Sequence, residues 1–189
     1  GPVSDLLNIE IHQEKSKVTL RQTNYIEKMV CEWLPDGVPS HIQINSTPHD
    51  DDLRANVLDA VSLTDAVDPV LLRKYQSLVG GLLYAATNTR PDIAFSVGLL
   101  CRAMSKPTQE LFTAALRVLA YLYRHRHIGL CYEASSEPLA GMTDSDWTAF
   151  MDGVREKREI VAEAFFIPVK DIKRDENVNL PDDIGVVNW

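Results

Sequence analysis

Three helix-starting signals in the middle of the chain constrain its fold more than any other feature. Asp68-Pro69 places a capping carboxylate before a proline at the first helical position, Pro91 follows the helix-breaking run 88–90, and Pro107-Thr108 opens a third segment. Apolar residues recur at spacings of three and four after each start, which is typical of helices that bury one face. Three such helices with short links predict a compact antiparallel bundle over residues 68–128. The predicted stripes are Leu72, Tyr75, Val79, Leu82, Leu83 and Ala86, then Ile93, Ala94, Val97, Leu100, Cys101 and Met104, then Leu111, Ala115, Val118, Leu119 and Leu122.

The segments on either side of this bundle alternate between apolar and polar residues, which indicates β-strands. Residues 6–22 predict a hairpin, and Thr23 is the predicted cap of a helix over residues 24–34. Residues 130–143 predict a second hairpin. Residues 148–189 hold one predicted helix (152–164) and a strand-like run, Phe165-Phe166-Ile167. The expected fold is an α-rich α+β fold with an N-terminal hairpin, a helical bundle, a second hairpin and a mixed C-terminal tail.

Residues 35–67 are predicted to be mostly loop because they contain Pro39, Pro48 and the acidic run 50–52. His49 beside that run raises the alternative of a metal site. Consecutive residues rarely converge on one ion, so a solvated acidic turn is the favoured interpretation. Gly1-Pro2 resembles the residues left by tag removal and is excluded from fold reasoning.

The composition predicts an intracellular protein, either cytoplasmic or nuclear, with no membrane partner. No apolar run approaches the roughly 18 to 20 residues of a membrane span, and the N-terminus lacks the layout of a signal peptide. Cys31, Cys101 and Cys131 are odd in number and lack C-x-x-C spacing, which argues against a disulfide framework or a zinc knuckle. These thiols are expected to be reduced and mostly buried.

The net charge of −8 conceals a strongly uneven distribution along the chain. Residues 70–130 hold 8 Lys+Arg against 2 Asp+Glu, a net charge of +6. Residues 1–69 and residues 131–189 each carry −7. A basic middle lies between two acidic ends, so the total does not exclude an anionic partner for the helices.

One helix of the bundle carries a line of residues suited to a nucleic-acid groove. Gln76, Gly80 and Tyr84 are spaced at i, i+4 and i+8, with Arg73 and Lys74 beside the line. Glutamine can bond base edges or sugars in a minor groove, tyrosine can lie against a sugar, and basic side chains can reach phosphates. From spacing alone, the favoured alternative is that Gly80-Gly81 lets two helices pack tightly.

Several runs across residues 6–147 keep the order and approximate spacing of one known family. They are Leu7-Asn8-Ile9-Glu10-Ile11 with Leu20, Thr47-Pro48, the run from Tyr75 to Tyr84, the run from Thr89 to Phe95, the run from Met104 to Thr108, the run from Ala115 to Leu122, Gly129-Leu130 with Tyr132, and Asp144-Ser145-Asp146-Trp147. As a set these runs resemble the reverse transcriptase of copia-type LTR retrotransposons.

The resemblance implies a division of the chain into functional segments. After the excluded residues 1–2, residues 3–34 resemble the primer-grip hairpin and its helix, and residues 35–67 would be an acidic loop. Residues 68–128 resemble the helical thumb, and residues 129–147 resemble the first hairpin of RNase H. Residues 148–189 form a divergent acidic tail. The parent polyprotein would be an RNA-directed DNA polymerase that uses Mg²⁺.

The resemblance also assigns roles to single residues. Asn8, Ile9 and Glu10 correspond to the primer grip, which holds the 3′ end of the growing strand. The set that tracks the minor groove of the primer–template would be Gln76, Gly80 and Tyr84, with Arg73 and Lys74 at the phosphates. Asp144 matches the first metal-binding aspartate of the RNase H domain.

The chain departs from the family in several ways. Asn8 stands where the family has glycine. The polymerase aspartates of the family lie upstream of the hairpin, where this chain has only five residues, and two-metal phosphoryl transfer requires them. Asp146 falls on the opposite strand face from Asp144, so the two cannot share one metal. Residues 148–189 do not match the later RNase H carboxylates of the family, and their glutamates at 156, 159 and 163 are typical of a solvated helix face.

The expected function is to hold an RNA/DNA or DNA duplex in register, together with the upstream fingers and palm of the same polyprotein. No catalysis and no cofactor are expected of this chain alone. Two alternatives remain open. The first is a domesticated or decayed retroelement piece that acts as a protein interaction module. The second is a small nuclease that uses Asp144 and Asp146.

Overall fold

The computed structural model describes residues 4–40, 42, 47–64, 66–133, 139–143 and 164–168. The chain divides into two compact units, Gly1–Glu133 and Ala134–Trp189. Among these residues, the first unit contains a four-stranded sheet and five α-helices, and the second contains a two-stranded sheet. The α+β class predicted from the sequence is confirmed.

The sheet of the first unit joins the N-terminal hairpin to a strand that follows the helices in the sequence. Its strands are β1 (Asp5–Leu6), β2 (Ile9–Gln13), β3 (Lys17–Arg21) and β4 (Leu130–Glu133), in the order β1-β2-β3-β4. All neighbouring strands are antiparallel, and Ile11 faces Leu20 across the hairpin. The predicted hairpin is therefore confirmed as β2 and β3, except that Leu7 lies in a turn before β2, and β1 adds one short strand beyond that turn.

The predicted second hairpin is wrong in its pairing, although both of its strands exist. Strand β4 pairs with β3, with Val18 opposite Tyr132, instead of turning back onto the next strand. In the second unit, β5 (Leu139–Thr143) pairs antiparallel with β6 (Ala164–Pro168), which confirms the strand-like run at 165–167. Residue 164 begins β6 instead of ending the predicted helix, and residues 152–163 of that helix lie outside the described residues.

The predicted helical starts in the middle of the chain are confirmed. Helix α3 spans Pro69–Asn88, a 3₁₀ turn at Pro91–Ile93 leads into α4 (Ala94–Arg102), and α5 spans Gln109–Arg124. The Asp68 carboxylate accepts a hydrogen bond from the Val70 amide at 2.9 Å, and the Thr108 hydroxyl accepts one from the Leu111 amide at 3.3 Å. These two side chains satisfy amides that the first helical turn leaves without partners. Within the described part of the chain, no helix is long and apolar enough to cross a membrane.

Two further helices differ from the predictions, one in its cap and one in its existence. Helix α1 (Thr23–Trp33) forms as predicted, but the Thr23 hydroxyl does not cap it and donates to the Arg126 carbonyl at 3.2 Å. The backbone amide of Asn24, in the first turn of the helix, donates instead to a Glu10 carboxylate oxygen at 2.7 Å. Helix α2 (Leu53–Ser62) lies inside the segment predicted to be mostly loop. Only three residues of this helix are buried, so its apolar periodicity is a weak signal. The acidic run that precedes the helix favours a loop.

The core of the first unit lies between the five helices. The predicted stripe of α5 is confirmed, and that of α3 is confirmed except at Leu72, which is half-buried, and at Leu83, whose side chain is 41% exposed. On α3 to α5 the buried apolar residues include Tyr75, Leu78, Val79, Leu82, Ala85, Ala86, Val97, Leu99, Leu100, Leu111, Ala115, Val118, Leu119, Ala120 and Leu122. The expectation of mostly buried cysteines is wrong, because Cys31 and Cys131 are exposed and Cys101 is half-buried; all three are free thiols.

Candidate functional site

The line of residues predicted on α3 lies on the exposed side of that helix. Gln76 and Gly80 are exposed and Tyr84 is half-buried, whereas Leu78, Val79 and Leu82 face the core. Arg73 and Lys74 are exposed one turn earlier. The structure therefore places Gln76, Gly80 and Tyr84 along one side of α3, with Arg73 close to that line and Lys74 farther around the helix. We call Gln76, Gly80 and Tyr84 the α3 surface.

The two adjacent glycines of α3 have different surroundings. A Cβ built on Gly81 would lie 2.7 Å from the Met29 Cε and 3.3 Å from the Tyr25 hydroxyl, so Gly81 gives α1 room to pack. A Cβ on Gly80 would meet no heavy atom of the described residues within 4 Å. The tight-packing explanation favoured from spacing alone therefore holds for Gly81 and fails for Gly80. A glycine in the middle of an exposed helix costs about 0.5–1 kcal/mol relative to alanine, and the described fold does not require one at Gly80.

Both polar side chains of the α3 surface also bond within the chain. The Gln76 amide nitrogen donates to the Met104 carbonyl at 3.0 Å. The Tyr84 hydroxyl donates to the Leu7 carbonyl at 2.5 Å, and its ring meets the Tyr25 ring edge-on with centroids 5.2 Å apart. Through Tyr84, the α3 surface is joined directly to the turn that links β1 to β2 at the edge of the N-terminal hairpin.

That turn has an unusual backbone. Leu7 and Asn8 link β1 to β2, and their φ angles are +53° and +63°. Two consecutive positive φ angles in a two-residue hairpin link are those of a type I′ turn, which favours asparagine and glycine. Leucine is uncommon in this region because its Cβ crowds the backbone. Asn8 therefore fits this turn, and Leu7 is the residue under strain.

Of the three predicted grip residues, Asn8 lines a cleft between the N-terminal strands and α1, whereas Ile9 and Glu10 are not among its lining residues. The Lys28 ammonium donates to the Asn8 side-chain oxygen at 3.4 Å, Ile9 is half-buried in β2, and Glu10 caps α1 as described above. The cleft has a volume of about 620 Å³ and is open to solvent. It is lined by Asp5, Asn8, Asn24, Glu27, Lys28 and Cys31. Two carboxylates and one ammonium give it no strong preference for an anion.

An ionic cluster around a buried arginine at the start of α4 was missed by the sequence reasoning. Arg90 has no exposed surface and donates to both carboxylate oxygens of Asp92, at 2.9 and 2.7 Å. Its remaining nitrogen bonds the His125 carbonyl at 2.9 Å. Burial opposes ionisation of Asp92, but the hydrogen bond and positive charge of Arg90 outweigh it and lower the pKa of the Asp92 carboxyl. The sequence does place Arg90 two residues before Asp92, which suits an ion pair, but no neighbouring residue in the sequence indicates that Arg90 is buried.

The residues considered for a metal do not converge in the described part of the chain. The His49 Nδ1 lies 2.7 Å from the hydroxyl of buried Ser96, and the Asp50 carboxylate pairs with Arg117. No group of three His, Cys, Asp or Glu residues that could hold a metal ion occurs among the described residues. Asp144, the predicted RNase H ligand, and Asp146 lie outside them.

Comparison with known proteins identifies relatives of the chain. It is 30% identical over 155 residues, 80% of its length, to the retrovirus-related Pol polyprotein from transposon TNT 1-94 of Nicotiana tabacum. It is 32% identical over 140 residues, 72% of its length, to a putative transposon Ty5-1 protein of Saccharomyces cerevisiae. This chain is related to copia-type retrotransposon Pol polyproteins. An uncharacterised mitochondrial protein of Arabidopsis thaliana is also 31% identical over 153 residues, 78% of this chain.

The chain corresponds to only part of each of these relatives. It covers 11% of the tobacco Pol polyprotein, 42% of the yeast transposon protein and 57% of the Arabidopsis mitochondrial protein. No protein-family model and no solved structure matches it. The relationship to retrotransposon Pol polyproteins thus rests on similarity along the sequence.

Proposed function

We propose that this retrotransposon-related chain grips a primer–template duplex, with the α3 surface in the minor groove and the N-terminal hairpin at the 3′ end of the primer. In this proposal the helices act as the thumb, and Asn8, Ile9 and Glu10 act as the primer grip. The relationship to Pol polyproteins supports a duplex as the partner. Polymerase chemistry and its Mg²⁺ are proposed to belong to the longer polyprotein, whose fingers and palm would be the protein partners of this chain.

The open surroundings of Gly80 carry the proposal. An exposed mid-helix glycine destabilises its helix, and no described residue occupies the space that a side chain would fill. A partner that approaches the helix backbone closely would explain the glycine. Gln76 and Tyr84 stand one turn away on either side, so a groove edge at Gly80 would meet an amide and a phenol.

The charge of the surrounding segment supports an anionic partner. Residues 70–130 carry a net charge of +6, and Arg73 and Lys74 are exposed beside the α3 surface. Basic side chains contribute most of the sequence-independent affinity for a duplex through phosphate contacts and counterion release. Such contacts position the protein without reading sequence, as expected of a chain that must accept any primer–template.

The test compares two glycines that differ in location but not in local environment. Gly80→Leu is expected to weaken binding of a blunt RNA/DNA hybrid about tenfold, because the new side chain occupies the space needed by the duplex. The matched control is Gly98→Leu on α4, where glycine is also exposed and also has no atom within 4 Å of a built Cβ. Leucine favours a helix over glycine, so neither variant is expected to lose folding stability.

Fluorescence anisotropy with labelled hybrid measures the binding, and thermal unfolding verifies that both variants fold. The proposal predicts weakened binding for Gly80→Leu and unchanged binding for Gly98→Leu. Equal affinities for the wild type and both variants would contradict a groove contact at Gly80. Equal weakening by both leucines would contradict a specific role for the α3 surface.

A further inference from the structure

Tyr84 is held in a way that groove contact alone does not explain. Its hydroxyl proton is directed to the Leu7 carbonyl at 2.5 Å, 77 residues away in sequence, instead of to solvent. Its ring packs edge-on against Tyr25, whose own hydroxyl donates to the Gly81 carbonyl at 3.1 Å. The side chain is therefore fixed at both ends, by α1 and α3 at the ring and by the hairpin at the hydroxyl.

The atom that Tyr84 contacts belongs to the most strained part of the hairpin. Leu7 has a φ of +53° and its side chain is 73% exposed, so neither local preference nor burial favours leucine at this position. Backbone strain of this kind persists only where surrounding structure enforces it. Besides the strand pairing, the described bonds that hold the turn are Tyr84 to Leu7 and Lys28 to Asn8.

We propose that Tyr84 is a positioning residue that holds the Leu7–Asn8 turn in place and thereby sets the preference of the chain for recessed 3′ ends. The inference rests on the proposed function for its consequence, because the hairpin is the part proposed to hold the primer terminus. This role differs from contact between Tyr84 and the groove of the duplex. The Tyr84 hydroxyl binds the Leu7 carbonyl of the protein backbone, and the turn that this hydrogen bond positions recognises the 3′ end.

The test begins with a measurement that requires no nucleic acid. The Ile11 backbone amide donates to the Ser4 carbonyl at 2.9 Å and reports on the pairing of β1 with β2, two residues beyond the Leu6–Ile9 pair that flanks the turn. Tyr84→Phe keeps the ring and removes the bond, and it is expected to speed hydrogen exchange of the Ile11 amide about fivefold. Tyr25→Phe is the matched control, since it removes a hydroxyl from the same ring pair without touching the turn. Unchanged exchange in Tyr84→Phe would overturn the proposal.

A rescue variant distinguishes positioning from a general loss of stability. Glycine adopts positive φ angles without strain, so Leu7→Gly should stabilise the turn by itself while it keeps the backbone carbonyl and the Lys28–Asn8 bond. In the Tyr84→Phe background, Leu7→Gly is expected to return the exchange of the Ile11 amide toward the wild-type rate. A double variant that exchanges as fast as Tyr84→Phe alone would count against a role through the turn.

The second measurement is the ratio of affinities for a primer–template with a recessed 3′ end and for a blunt duplex of the same sequence. In Tyr84→Phe this ratio is expected to fall toward one, whereas Tyr25→Phe keeps the wild-type ratio. Altered exchange with a wild-type ratio would overturn the assignment to 3′-end preference. If no duplex binds the wild type but the exchange changes as predicted, the proposed function fails and the positioning of the turn by Tyr84 is upheld.

Discussion

At the residue scale, the pairing of buried Arg90 with the partly exposed Asp92 determines how the start of α4 is held. A fully buried guanidinium requires a counter-charge, because the free energy of transferring an unpaired charge out of water is several kcal/mol. Asp92 supplies that charge through two hydrogen bonds, and the His125 carbonyl at the end of α5 accepts a third. The pair thus ties the junction between α3 and α4 to the last turn of α5.

Replacing Asp92 by asparagine is expected to lower the free energy of unfolding by about 1–3 kcal/mol at neutral pH, because buried Arg90 keeps its charge and loses its partner, while the partial exposure of Asp92 limits the loss. The pKa of Asp92 is lowered in the folded chain, so its contribution is present above the unfolded pKa of 3.8 and is lost as the pH falls through the folded pKa. The wild type should therefore lose more stability than Asp92→Asn as the pH falls below about 5.

Urea unfolding at a series of pH values measures both effects. Glu110→Gln is a suitable control, since the pKa of Glu110 is also lowered, by its backbone amide and by Thr108, but this carboxyl is close to fully solvated. A loss below about 1 kcal/mol is expected for it. If Asp92→Asn and Glu110→Gln have the same small effect, the Arg90–Asp92 pair does not stabilise the fold as described.

At the element scale, the pairing of β4 with β3 depends on the close approach of one residue. A Cβ on Gly129 would lie 2.1 Å from the Leu20 carbonyl oxygen and 2.7 Å from the Arg21 Cγ. The first of these is a backbone atom and cannot rotate away. Only glycine at this position lets the chain leave α5 and join the edge of the N-terminal hairpin.

Gly129→Ala is accordingly expected to destabilise the first unit by about 1–3 kcal/mol, because backbone must shift to admit the methyl group. Gly98→Ala, in open space on α4, should be neutral or stabilising by up to about 1 kcal/mol. Chemical denaturation compares the two variants with the wild type. An alanine at 129 that unfolds at the wild-type midpoint would show that the approach of β4 to β3 is not tight.

The elements that could be predicted from the sequence are those whose signals are local. Helices α3 and α5 begin where Asp68 and Thr108 cap them, since capping involves neighbours within a few residues. The pairing of β4 with β3 could not be predicted, because it joins segments more than one hundred residues apart. In the candidate site, spacing placed Gln76, Gly80 and Tyr84 on one side of α3 but could not separate Gly80 from Gly81. That distinction depends on Met29 of another helix.

At the scale of the whole molecule, charge and sequence relationship point to the same segment. The chain carries a net charge of −8, yet residues 70–130 carry +6 and contain the α3 surface. The same residues lie within the part of the chain related to retrotransposon Pol polyproteins. An acidic total is thus compatible with a duplex partner because the basic residues are concentrated in the helices α3 to α5.

The salt dependence of duplex binding tests the central proposal most directly. We expect the full chain to bind a blunt RNA/DNA hybrid at low salt, with the logarithm of the association constant falling linearly as the logarithm of salt concentration rises. Replacing Arg73 and Lys74 together by glutamine should reduce the magnitude of that slope by about 2, because two phosphate contacts are lost. Absence of detectable binding at low salt would contradict duplex gripping and favour a protein interaction module instead.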